Sequence, residues 1–162
     1  MMNCVKTKNR QRGLTTVELS IVASAFFLIL MGGLEVSRLL FTWNTLDAVV
    51  QRAARLATVC PRNHSSIAPI AMFGGVGATD GVLPSLTAAN IEISYFDEDF
   101  DPATTYETTR YVQASIVNFD ISLNIPFIPD TTLTSPNFTA LLPAESLGFI
   151  PGSARSCHGS AT

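Results

Sequence analysis

The chain has 162 residues, 14% of them charged and 47% apolar, with a net charge of −3. That is one modest domain with an unusually apolar share. Lys6, Lys8, Arg10 and Arg12 place four cations and no acid in the first thirteen residues, so the rest carries −7, six Arg against thirteen Asp or Glu. An acidic body without a basic cluster argues against a nucleic-acid binder, and no nucleic-acid partner is expected.

Residues 14–34 form an apolar run interrupted by one charge, Glu18. Its length matches the roughly 20 residues that cross a bilayer. A charge inside such a run costs about 2.5–3.5 kcal/mol on insertion scales, so Glu18 calls for a partner. Cutting the chain after Gly13 would make one, the α-amino group of Leu14. A secretory signal fits less well. Met31-Gly32-Gly33-Leu34-Glu35 is a poor small-x-small cut, Ala23-Ser24-Ala25 sits inside the apolar core, and the helical pattern continues beyond it. A lipoprotein signal fails because Cys4 precedes the run. The basic start before the run predicts a cytoplasmic N-terminus and an exported body.

Beyond the run, Val36, Leu39, Leu40, Trp43, Leu46, Val49, Val50, Ala53, Ala54 and Ala57 recur at three- and four-residue steps. This is one apolar helix face. Pro61 limits it. The pattern predicts a helix over residues 14–58, about 67 Å long at ~1.5 Å per residue, with Gly32-Gly33 as a soft point. Glu35 and Arg38 can pair at i,i+3. Either they form a solvated ion pair, or they meet lipid headgroups or a neighbouring subunit.

Two stretches carry a family resemblance. Arg12-Gly13-Leu14-Thr15-Thr16-Val17-Glu18, running into the apolar residues, resembles the processing signature of a type IV prepilin. Gly33-Leu34-Glu35-Val36-Ser37-Arg38-Leu39-Leu40 and Ala53-Ala54-Arg55-Leu56-Ala57 resemble the two best-marked blocks of the TadE-like minor pseudopilins of the tight-adherence pilus. Two departures stand out: Ala53 replaces a usual Gly, and Leu19 a frequent aromatic. The resemblance covers residues 12–59.

It implies cleavage between Gly13 and Leu14 by a membrane prepilin peptidase, and Glu18 as the assembly charge. It also implies other pilin or pseudopilin subunits and inner-membrane lipid as partners. The expected location is a bacterial inner membrane, crossed once. The expected divisions are a leader over 1–13, a membrane half-helix over 14–34, an amphipathic half over 35–59 and a β-rich exported domain over 60–162. The family's major pilins are much shorter, which favours an accessory role. The alternatives are an adhesin-like binding module on an uncleaved anchor and a type II secretion pseudopilin, although the latter usually has Phe where Leu14 stands.

In the exported part, residues 61–85 are rich in Gly, Ser, Ala and Pro and read as a loop. Phe73-Gly74-Gly75-Val76-Gly77 lacks the Lys-Ser/Thr of a phosphate loop. Residues 90–96 and 111–119 read as strands, and 121–128 as a third ending at Pro126 and Pro129. After Pro129 an extended cover or a short hairpin is expected. The fold class is α+β: a long N-terminal helix against a small antiparallel sheet, pilin-like by resemblance.

Cys60 and Cys157 in an exported domain suggest one disulfide. Cys60, His64, Cys157 and His158 could instead bind zinc, but adjacent Cys157-His158 is awkward for two ligands. Asp97, Asp99 and Asp101 alternate as in a calcium loop, yet Pro102 stands where Gly is needed and Thr108 where the bidentate Glu should be. With two histidines and no nucleophile–base–acid pattern, neither an enzyme nor a cofactor is expected.

Overall fold

A computed structural model describes residues 12–74, 81–83, 85–124, 131–152, 155 and 157, with only the backbone of 12–14. Residues 1–11 of the leader, with Cys4, and His158, Pro126, Pro129 and the end of the expected third strand lie outside the described residues.

Helix α1 runs unbroken over Arg12–Val59, through Gly32-Gly33. At ~1.5 Å per residue it is about 72 Å long. It has two environments. An apolar window in its first part has none of its residues buried. Its second part buries Leu46, Val49, Val50, Ala53, Ala54 and Ala57 almost completely. The three alanines add almost no side-chain bulk, so a sheet can approach the helix axis closely.

That sheet has three antiparallel strands in the order β1-β2-β5: Ile91–Phe96, Tyr111–Ile116 and Thr139–Pro143. In β2 the inward side chains Val112, Ala114 and Ile116 are buried at every second position, as a two-residue period requires. They stand opposite Tyr95, Ile93 and Ile91 of β1, and Ala114 and Val112 stand opposite Ala140 and Leu142 of β5. One core joins this face to α1. The fold is α+β.

The structure revises several expected elements. The 61–85 stretch contains a short helix, α2 (Ile67–Ala71), with Ile67, Pro69 and Ala71 buried. Five residues are too few to show helical periodicity, and packing against α1 supplies what propensity does not. Gly81 then passes so close to Met72 that a Cβ would lie 2.5 Å from its carbonyl oxygen. Strand β1 starts at Ile91 because Asn90 closes a 3-10 turn, Ala88–Asn90.

Strand β2 stops at Ile116, not at 119. There the Asn90 amide donates to the carbonyls of Val117 and Asn118, and Asn118 has φ 52°. The turn starts a separate two-stranded sheet, β3 (Asp120–Leu123) with β4 (Thr131–Thr134). A single sheet is therefore too simple. The tail after Pro129 contributes a strand to each sheet.

The C-terminal part returns to the end of α1. Leu147 N–H donates to the Thr58 carbonyl at 3.0 Å. Gly148, at φ 76°, lies so close to the Pro61 ring that a Cβ would meet it at 2.6 Å. A disulfide joins Cys60 to Cys157 with a Cα–Cα distance of 4.4 Å, across 97 residues. Both cysteines are buried.

Candidate functional site

The candidate site is α1 itself, taken from its start upward. Arg12, Gly13 and Leu14 already lie inside the helix, two residues earlier than the sequence pattern places its start. Glu18 is exposed and, among the described residues, has no salt-bridge partner. Large apolar side chains surround it, including Val17, Leu19, Ile21 and Val22, each more than half exposed. The hydroxyls in this stretch are satisfied within the helix. Ser20 Oγ donates to the Thr16 carbonyl at 2.8 Å and Ser24 Oγ to that of Ser20 at 2.7 Å. Such bonds let serine sit in an apolar environment without an external partner.

At the other end of the apolar run, Arg38 joins two elements. Its Nη1 lies 3.4 Å from Glu35 Oε1, and its Nη2 donates to the Ser122 carbonyl at 3.1 Å. Glu35 Oε2 is buried and accepts no hydrogen bond among the described residues. The pair therefore does more than decorate the helix surface: it fastens β3 to the helix where the uncovered part ends. Thr42 Oγ1 donates to the Arg38 carbonyl at 2.9 Å. Sequence reading found the Glu35–Arg38 pair by its spacing but could not find Ser122, whose contact is a backbone oxygen 84 residues away.

The Ala53-Ala54-Arg55-Leu56-Ala57 block is the seam against the sheet. Ala53, Ala54 and Ala57 have no exposed surface, and Arg55 faces solvent. A small residue is what position 53 needs, and alanine meets that need as glycine would.

The model of the TadE-like protein family matches residues 13–55. This chain has a TadE-like N-terminal segment. The match takes in both the uncovered half of α1 and most of the half that carries the sheet. The TadE-like segment is compatible with a single membrane crossing. No curated protein and no solved structure matches the chain.

Local contacts engage the residues of the other candidate sites. Asp97 Oδ1 accepts the N–H groups of Asp99 and Asp101 at 3.0 and 2.9 Å, closing its own turn. Phe100 sits at the turn with φ 63° and stacks on Tyr111 at 4.7 Å. The Cys60 and Cys157 sulfurs are bonded to each other, so neither is a thiolate ligand. His64 Nδ1 accepts from the Ser66 N–H at 3.2 Å.

Burial raises the pKa of Tyr95 above its ordinary value of 10.0, partly offset by the Asn63 N–H bonded to its oxygen and by the Arg62 charge. The Arg62 guanidinium lies over the Tyr95 ring at 4.7 Å.

Proposed function

We propose that the chain is a minor pilin or pseudopilin subunit of a tight-adherence pilus, without enzymatic activity. The carrying observation is the division of α1: a first half that no other described residue covers, bearing Glu18, and a second half fixed to a sheet. A helix built this way supplies an apolar shaft that other helices can cover, with the folded domain outside.

In this reading a prepilin peptidase cuts between Gly13 and Leu14, on the cytoplasmic side. The new amine of Leu14 and the Glu18 carboxylate then neutralise each other, within one subunit or between neighbours. Pairing offsets part of the cost of holding either charge in a low dielectric. It also sets the axial register of one helix against the next, as buried polar groups do in coiled coils. Because the intact chain is helical from Arg12, the first turn must open for the protease to reach the bond. Glycine at 13 lowers the cost of that opening.

The test is in the native host. Gly13→Phe should leave the precursor uncut. Glu18→Ala should be cut and yet fail to assemble. Normal processing of the first variant, or normal piliation with the second, would refute the reading.

A further inference from the structure

Just above the apolar run, α1 and the folded part border an open-sided cavity of about 230 Å³ lined by Arg38, Phe41, Thr42, Ser85, Phe119 and Ser122, among others. Three features of it belong together. The first is depth. Arg38 is four residues beyond Leu34, about 6 Å further along the axis. If residues 14–34 span the hydrocarbon, that height falls in the headgroup layer, roughly 5–7 Å thick on each side.

The second is charge. A guanidinium has five N–H donors. Among the described residues Arg38 uses one toward Glu35 and one toward the Ser122 carbonyl, and the side chain remains about half exposed. The remaining donors can bind a phosphate oxygen in the two-pronged manner that guanidinium favours. Glu35 offsets part of the positive charge, which suits a singly charged phosphodiester better than a more highly charged phosphate. The third is lining. Phe41 and Phe119 give the wall an apolar part, and the Ser85 side chain a polar one.

We infer that this cavity seats the phosphodiester headgroup of one phospholipid from the leaflet facing the folded domain. Arg38 holds the phosphate, the acyl-bearing glycerol stays on the bilayer side of it, and the outer end of the headgroup lies in the cavity toward Thr42 and Ser85. The TadE-like Glu-x-x-Arg block would then have two tasks at one height: fastening β3 and fixing the depth of the domain above the bilayer. The inference rests on the membrane placement in the proposed function, but not on cleavage of the leader.

The test is native mass spectrometry of the full chain, purified in detergent and titrated with phosphatidylglycerol. The wild type should retain one lipid. Arg38→Gln should weaken retention about tenfold, as expected for loss of a charge-assisted contact. Ser85→Phe, which fills the cavity and leaves the Arg38–Ser122 bond in place, should weaken it similarly. Arg52→Gln, higher on the helix, should leave it unchanged.

Equal retention in all four proteins would overturn the site. So would displacement of the lipid by millimolar inorganic phosphate, which would assign the cavity to a free anion. The same spectra give the mass of each chain, so failure of the lipid site and failure of leader removal are read separately.

Discussion

The Arg38 guanidinium and the Ser122 carbonyl oxygen meet at 3.1 Å, joining a helix turn to a strand 84 residues later. Arg38→Ala removes the bond and leaves that carbonyl to water. A hydrogen bond to a charged group contributes about 1.5–3 kcal/mol, and less where solvent reaches it. The expected loss is therefore about 1 kcal/mol in denaturant titration. Hydrogen exchange should accelerate in β3 and β4 while β2 keeps its protection, because β2 is held by the other sheet and by α1.

The Cys60–Cys157 bridge should matter more. It constrains a long loop, and such bridges contribute about 2–5 kcal/mol. Reduction, or Cys157→Ala, should lower the denaturation midpoint by a corresponding amount. A midpoint unaffected by reductant would show that the C-terminal return is held by its other contacts, such as Leu147 N–H to the Thr58 carbonyl.

Ala114 has no exposed surface and lies in the core that joins β2 to α1. Ala114→Leu adds volume inside that closed core. Overpacking of this kind costs about 1–3 kcal/mol. A thermal melt should show the loss. Ala88→Leu, on the exposed 3-10 turn, should show almost none.

Tyr95 gives a pH prediction. Its folded-state pKa is raised, chiefly by burial, so the folded chain holds the phenolic proton more tightly than the unfolded one. The resulting stability is complete below the unfolded value of about 10 and is lost as pH rises through the folded value. Stability should therefore fall on the alkaline side of pH 10. Tyr95→Phe should reduce that fall, at the cost of the 3.0 Å bond from Asn63 N–H.

The sequence revealed the parts of this fold that repeat. The three- and four-residue spacing from Val36 to Ala57 identified the helix face that now carries the core. The alternation Ile91-Ile93-Tyr95 identified the inner face of β1. Short or irregular parts were not legible. α2 is five residues held by burial. β4 and β5 are polar or mixed segments that become strands only by pairing with β3 and β2. The end of β2 depends on the Asn90 side chain reaching residues 27 and 28 positions away. At the candidate site, the pattern showed that Glu35 and Arg38 share a face but not that Ser122 completes the contact.

The central claim concerns the start of the chain, where Glu18 lies in an apolar run without a salt-bridge partner among the described residues. Intact mass measurement of the protein extracted from membranes of its native host tests it most directly. The account predicts a mature chain beginning at Leu14, with a free amine to meet Glu18. A chain that still carries its first thirteen residues would contradict it.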